Sequence, residues 1–150
     1  MADPLQLRIN LLSSSFDPLQ LLQRWQGDLQ QPCAAASHFI GRVRATATDG
    51  EPLEALELEH YPGMTERQLE VLARDCCGRH GVLHCLVQHR IGRVLPGEAL
   101  VLVAVGADRR GPAQRCCQEL LEALKHDAPF WKREWQRNGR GQWITGNTPL

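Results

Sequence analysis

Alternating apolar and polar positions mark several β-strands along the chain. Leu5 to Leu12 and Leu53 to Tyr61 place apolar side chains at about every second position, the period of a strand with one buried face. The run Ala99 to Ala107 is apolar almost throughout and predicts a strand buried on both faces. It is expected to form a hairpin with Val82 to Val94 across the turn Pro96-Gly97-Glu98. The other predicted strands are Ala34 to Ala45, Phe130 to Gln136 and Gln142 to Thr145.

Three segments instead repeat apolar residues every three to four positions, as one face of a helix does. Asp17 and Pro18 suit an N-cap and a first helical position, and Thr65 with Gln68 has the spacing of a capping box. The predicted helices are Leu19 to Gln26, Glu66 to Gly78 and Pro112 to His126. Helices and strands alternate irregularly, without a repeat or a linker. The pattern therefore predicts a single α+β domain over residues 1–150, with a frayed tail from about residue 146.

The charge balance argues against two classes of partner. Seventeen basic residues offset seventeen acidic ones, so the chain lacks the overall field that attracts nucleic acid or an anionic membrane surface. The longest apolar run has nine residues, far fewer than the ~20 of a transmembrane helix. The first residues, Met1-Ala2-Asp3-Pro4, have neither the basic flank nor the apolar core of a secretory signal. We therefore expect a cytoplasmic protein that binds neither nucleic acid nor membrane.

The cysteine spacing does not resemble that of a metal-binding motif. Six cysteines include the adjacent pairs Cys76-Cys77 and Cys116-Cys117, and there is no Cys-x-x-Cys. Zinc ligands in sequence motifs are usually spaced by two or more residues, so the sequence predicts no metal site. In a chain of this length without a secretory signal, we expect reduced thiols that pack as small apolar side chains.

Lysine is rare in this chain and is confined to one region. Fifteen of the seventeen basic residues are arginine, and the two lysines, Lys125 and Lys132, lie near the C-terminus. Arginine stays protonated, whereas lysine can lose its proton in a suitable pocket and act as acid, base or nucleophile. The pair is thus a candidate for chemistry, although chance clustering of two residues explains the spacing equally well.

Several arginines are candidates for binding an anion. Arg42 and Arg44 share a face of one predicted strand about 6.5 to 7 Å apart, and together they could hold one anionic group. Solvated charge on an edge strand is the competing interpretation. If the other basic candidates converge on this pair, they would form a local pocket for phosphate and for developing negative charge. These candidates are Arg109, Arg110, Lys125, Lys132 and Arg133.

Five motifs in order give the sequence a family resemblance. They are Gly41-Arg42-Val43-Arg44, LELEHYPGMTE at 56–66, HRIG at 89–92, Pro96-Gly97-Glu98 and APFWKRE at 128–134. Over roughly residues 36 to 135 the sequence resembles the large, catalytic subunit of molybdopterin synthase. HYPGMTE and APFWKRE are the most specific of these motifs, whereas each shorter piece alone would be weak.

The resemblance implies a sulfurtransferase of molybdenum cofactor biosynthesis. Such an enzyme converts cyclic pyranopterin monophosphate into molybdopterin by installing two dithiolene sulfurs, and it has no resident cofactor. The sulfur comes from the C-terminal Gly-Gly thiocarboxylate of a small ubiquitin-like subunit. The resemblance also implies a heterotetramer, with a homodimer of large subunits at its core and one small subunit at each end. The implied fold is an α/β hammerhead with an additional antiparallel β-sheet.

The resemblance also assigns site residues by position. Lys125 and Lys132 match the family's active-site lysines, and residues around Arg110 are expected to reach the pocket of the other protomer. The implied substrate-binding residues are Arg42, Val43, Arg44, Arg109, Arg110, Lys125, Lys132, Arg133 and Glu134.

Arg109 departs from the family pattern, which has histidine at this position. A guanidinium can hold phosphate but does not shuttle protons near neutral pH. One alternative is therefore a non-catalytic relative that binds the small subunit or a phosphorylated ligand without turnover. An unrelated sensor of a phosphorylated ligand is the third interpretation.

Overall fold

The computed structural model describes residues 4–144, which form eight strands and three helices. The predicted frayed tail from about residue 146 lies outside these residues, as does Thr145 at the end of the last predicted strand. In chain order the elements are β1 (Gln6–Leu12), α1 (Pro18–Asp28), β2 (Ala35–Arg42), β3 (Leu53–His60), α2 (Met64–His80), β4 (His84–Arg90), β5 (Gly92–Val94), β6 (Ala99–Ala107), α3 (Arg110–Asp127), β7 (Phe130–Gln136) and β8 (Gly141–Trp143).

The strands form two four-stranded sheets. The first has the order β1-β4-β6-β2, in which β1 pairs with β4 in parallel and the other pairs are antiparallel. The second has the order β5-β3-β7-β8 and is antiparallel throughout. The α+β class and the additional antiparallel sheet are therefore confirmed.

The helices cover both faces of the first sheet. α2 and α3 pack on one face around the fully buried Leu69 and Leu120, and the buried thiols of both helices lie in this cluster as predicted. α1 covers the other face through Leu22 and Trp25. The described part of the chain contains no helix that is both long and apolar enough to cross a membrane.

The predicted strand Val82 to Val94 is divided between the two sheets. β4 pairs with β6 as the expected hairpin, but β5 pairs with β3 in the second sheet. Gly92 allows the change of direction because its φ of 76° is a conformation that glycine adopts without strain. Arg90 stabilises the point where the chain passes from the first sheet to the second. Its buried guanidinium donates to the carbonyl oxygens of Ser13 (3.3 Å) and Arg93 (3.0 Å). Glu98 lies 3.6 Å away and offsets the buried charge.

Three sequence predictions about element boundaries are wrong. The helix expected from Pro112 begins at Arg110, because the N–H of Ala113 donates to the carbonyl oxygen of Arg109 (3.3 Å) and makes Arg109 the N-cap. The strand expected over Ala34 to Ala45 ends at Arg42, because the pairing of β2 with β6 shifts register there and ladder pairing stops. The helix expected from Glu66 begins at Met64, and Gly63 is its N-cap in place of Thr65.

The local hydrogen bonds explain why α2 begins early. Gly63 has a φ of 84°, and its N–H donates to the carboxylate of Glu66. Thr65 is buried instead, where its Oγ1 accepts from the N–H of Tyr61 (2.8 Å) and donates to the carbonyl oxygen of Pro129 (3.2 Å). In α1 the predicted cap is correct, since Asp17 accepts from two backbone N–H groups of the first turn.

Candidate functional site

A cavity of about 280 Å³ lies where the C-terminal end of α3 meets the two sheets. Besides α3, four parts of the chain line this cavity: the end of β4, the start of β6, the start of β7 and the residue that follows β8. The apolar lining residues are Leu100, Val101, Leu121, Leu124, Ala128, Phe130 and Ile144, and the polar ones are His89, Lys125, His126 and Lys132.

Both lysines of the chain line this cavity. Lys125 lies in the last turn of α3, where the helix dipole favours a cation, and Lys132 lies on β7. Burial, followed by the nearby charge of Lys125, lowers the pKa of Lys132. The cavity therefore joins two amines from separate elements, and one of them loses its proton more readily than an exposed lysine does.

His89 is a cavity residue that the sequence analysis did not single out. It is buried, it stacks on Phe130 with ring centroids 4.3 Å apart, and burial lowers its pKa to about 4. The imidazole is thus neutral near pH 7. Its Nδ1 lies 2.7 Å from the carbonyl oxygen of Arg90. Because a carbonyl oxygen can only accept, the proton is on Nδ1 and Nε2 is left as an acceptor. The HRIG motif contains this residue, but the period of the strand does not distinguish it from a core position.

The segment Arg42 to Arg44 pairs with the turn before β6. Val43 is buried, its N–H donates to the carbonyl oxygen of Glu98 (3.0 Å), and its carbonyl oxygen accepts from Gly97 (2.8 Å). Arg42 and Arg44 flank it and are exposed, so they remain neighbours on the solvent side. Arg42 also donates to the carbonyl oxygen of Gly97 at 3.3 Å. The three residues are outside the set that lines the cavity.

Glu134 and Arg133 make contacts within their own chain. The Glu134 carboxylate accepts from the backbone N–H of Thr48 (3.0 Å) and from its hydroxyl (2.9 Å), which fixes the loop between β2 and β3. Arg133 points to the opposite face of β7, where its guanidinium lies 4.0 Å from the ring centre of Trp143 and 5.1 Å from that of Trp135. Glu134 and Arg133 therefore lie on opposite faces of β7, as neighbouring residues of a strand do.

Arg109 and Arg110 lie at the other end of α3. Both are exposed, Arg109 as the N-cap and Arg110 as the first helical residue. With a rise of about 1.5 Å per residue, Arg110 lies roughly 22 Å along the helix axis from Lys125. Within one copy of the chain, these arginines cannot reach the lysine cavity.

Comparison with known proteins identifies the family. The family described as "MoaE protein" matches residues 12–127. The chain belongs to the MoaE family. A curated MoaE relative, the molybdopterin synthase catalytic subunit of Pseudomonas aeruginosa, is 36% identical over 140 residues, which are 93% of this chain and 91% of the relative. The corresponding subunit of Ralstonia nicotianae is 41% identical over 110 residues, which span 73% of this chain and 61% of that protein.

Solved MoaE structures share the fold. The molybdopterin biosynthesis MoaE protein of Burkholderia ambifaria superposes with a TM-score of 0.76 at 34% identity and covers 93% of this chain and 89% of its own. Molybdopterin synthase of Staphylococcus aureus gives 0.74 at 27% identity, over 97% of this chain and 99% of its own. The resemblance seen in the sequence motifs is therefore confirmed at the level of family and fold.

Proposed function

We propose that this chain is the catalytic subunit of a molybdopterin synthase and that the lysine cavity is its active site. The observation that supports this proposal most strongly is the meeting of Lys125 and Lys132 in one cavity of about 280 Å³. Elsewhere in its sequence the chain uses arginine as its basic residue. The curated relatives of the MoaE family carry the same activity in their names.

The proposed reaction transfers sulfur to cyclic pyranopterin monophosphate. The donor is the C-terminal Gly-Gly thiocarboxylate of a small ubiquitin-like subunit, and no resident cofactor takes part. The thiocarboxylate sulfur attacks a side-chain carbon of the pterin and displaces an oxygen substituent. A C–S bond forms as a C–O bond breaks, the displaced oxygen takes up a proton or stays on the phosphate, and the two molecules are linked as a thioester. Water then attacks the acyl carbon, the acyl C–S bond breaks, and the small subunit leaves with an ordinary carboxylate. Two such transfers produce the dithiolene.

The lysines suit this chemistry because the acyl-transfer steps develop negative charge on oxygen. We assign Lys125 to proton transfer or oxyanion stabilisation beside the reacting carbon. Lys132, with Arg44 and Arg110, anchors the substrate phosphate and the incoming carboxyl terminus. Arg42, Val43, Arg109, Arg133 and Glu134 remain predicted substrate-binding residues, and the contacts of Glu134 and Arg133 within the chain favour a role in positioning their segments.

The position of Arg110 supports a site shared between two copies of the chain. Because Arg110 lies about 22 Å along the helix from Lys125 of its own chain, it can contact a ligand only in the lysine cavity of a second copy. We therefore propose a homodimer core, with one small subunit bound to each large subunit in a heterotetramer. We also propose a cytoplasmic location for this complex.

The test is conversion of cyclic pyranopterin monophosphate by the purified chain mixed with the small subunit. We expect dithiolene product with the thiocarboxylated subunit and none with the same subunit ending in a carboxylate. Complex formation without product would instead support the non-catalytic relative. Tight binding of another phosphorylated ligand, without binding of the small subunit, would support the sensor.

A further inference from the structure

The seam between α2 and α3 brings together side chains of the types that ligate metals. Cys76, His80 and Glu119 each offer one ligand atom, and these three atoms lie within 4.8 Å of one another. Cys116 lies outside this group of three, but its Sγ is 3.7 Å from the Sγ of Cys76 and offers a second sulfur. Cys76 and His80 are four positions apart on α2, and Cys116 and Glu119 are three apart on α3. Each pair therefore lies on one face of its helix.

Two separations among these atoms, one sulfur–sulfur and one nitrogen–oxygen, can be compared with those around a tetrahedral ion. Zn–S bonds are about 2.3 Å long, so two sulfurs on a tetrahedral Zn²⁺ lie about 3.8 Å apart. The two thiols are 3.7 Å apart without any ion. His80 Nε2 and Glu119 Oε2 are 2.8 Å apart, against about 3.3 Å for nitrogen and oxygen at tetrahedral Zn²⁺. The Glu119 side chain is 46% exposed and has room for this small adjustment.

Solvent access and charge also suit a cation. The two thiols are buried, whereas the side chains of His80 and Glu119 are 15% and 46% exposed, so the cluster extends from the core to the surface. Arg79 donates to Glu119 at 2.9 Å, which is the contact that an outer partner makes to a ligating carboxylate.

We propose that Cys76, His80, Cys116 and Glu119 form a tetrahedral site for a thiophilic divalent cation, with Zn²⁺ as the best-fitting ion. Thiolate and imidazole ligands together favour zinc over the harder cations magnesium and calcium. With four protein ligands the site is closed, so the ion would clamp α2 to α3 and take no part in catalysis. The sequence predicted no metal because the ligands come from two helices and form no continuous motif.

This site is separate from the lysine cavity. Cys116 precedes Lys125 by nine residues on α3, or about 13 Å along the helix axis. Metal binding can therefore be measured without substrate or small subunit, and its failure would leave the proposed sulfur transfer untouched.

Co²⁺ is a suitable probe because thiolate ligation gives it a characteristic absorption. The full chain is freed of metal, kept reduced with a phosphine that carries no thiol, and titrated with Co²⁺. We expect binding of a single Co²⁺ per chain, with thiolate-to-cobalt charge-transfer absorption and the visible bands of tetrahedral cobalt. Zn²⁺ should displace the cobalt and raise the Tm of the protein.

Single variants distinguish this site from chance binding elsewhere. Cys76→Ser, Cys116→Ser and His80→Gln each remove a ligand, and each should weaken Co²⁺ binding by more than the roughly 10- to 100-fold that loss of an outer partner costs. Cys117→Ser is the matched control, since Cys117 is a buried thiol next to Cys116 in sequence but is not one of the four proposed ligands. It should bind Co²⁺ like the wild type.

Two results would overturn the proposal. One is the absence of charge-transfer absorption in the wild-type chain. The other is equal Co²⁺ affinity in the wild type and His80→Gln, whose partly exposed side chain can be replaced without opening the core. Because His80→Gln leaves both buried thiols in place, it decides the question even if the cysteine variants fail to fold.

Discussion

The two lysines of the cavity are conspicuous in the sequence, but only the structure shows that they meet. Two rare lysines among many arginines are visible in the sequence, but their meeting depends on α3 and β7 ending at the same cavity. His89 could not be found in the same way, because every residue of β4 after His84 is buried and a histidine there has the period of a core residue. Only packing shows that it faces the lysines.

The lowered pKa of Lys132 predicts a pH-dependent substrate affinity. As pH rises through that pKa, the amine loses its charge and its attraction for phosphate, so the KM for cyclic pyranopterin monophosphate should rise. Lys132→Arg keeps its charge and should move this rise to higher pH. Measurement of KM between neutral pH and about pH 10 checks both expectations.

The other titratable groups around Lys132 do not account for the same change. His89 is already neutral above about pH 5, because burial lowers its pKa to about 4. Lys125 and His126 also line the cavity, and both are retained in Lys132→Arg. A KM profile that is identical for wild type and Lys132→Arg would therefore contradict the role assigned to Lys132.

At the scale of elements, periodicity predicts most strands and helices but not where they change partners. The apolar run of β6 and the segment between Pro129 and Arg137 for β7 are predicted with the bounds that the structure has. The register shift at Arg42 and the crossing at Gly92 depend on pairing with distant strands, and local sequence does not specify them. For the same reason the anchoring of the β2–β3 loop by Glu134 was not predicted.

The Glu134 contacts predict that this loop is locally coupled to β7. Glu134→Ala removes the acceptor of the Thr48 N–H and hydroxyl, so it should lower the free energy of unfolding by about 1 to 2 kcal/mol. The Thr48 amide should also exchange its hydrogen faster. Glu59→Ala, an exposed change on β3, is the control and should affect neither quantity. Unchanged exchange at Thr48 in Glu134→Ala would show that the loop is held in another way.

At the scale of the whole molecule, one chain holds only part of the proposed site. The two ends of α3 carry Lys125 and Arg110, and a rigid helix keeps them about 22 Å apart. The predicted helix Pro112 to His126 already separates Arg110 from Lys125, and what only the structure shows is the meeting of Lys125 with Lys132 in one cavity.

A shared site predicts that two inactive variants restore activity when mixed. In a dimer of Lys125→Ala with Arg110→Ala, one of the two sites has both residues intact. Random exchange makes half of the dimers mixed, so the mixture should recover about a quarter of wild-type activity. The rate of dithiolene formation before and after subunit exchange measures this recovery. Activity that stays at the mean of the separate variants would exclude a site built from two copies.

The proposed active site depends most on Lys125 acting in the transfer of sulfur. Its most direct test is the rate of dithiolene formation by Lys125→Ala, measured with saturating thiocarboxylated small subunit. Arg24→Ala serves as control because Arg24 is an exposed cation on α1 and lies outside the cavity lining. We predict a loss of about 10²- to 10³-fold for Lys125→Ala and an unchanged rate for Arg24→Ala. A Lys125→Ala rate equal to that of the wild type would contradict the assignment of the active site.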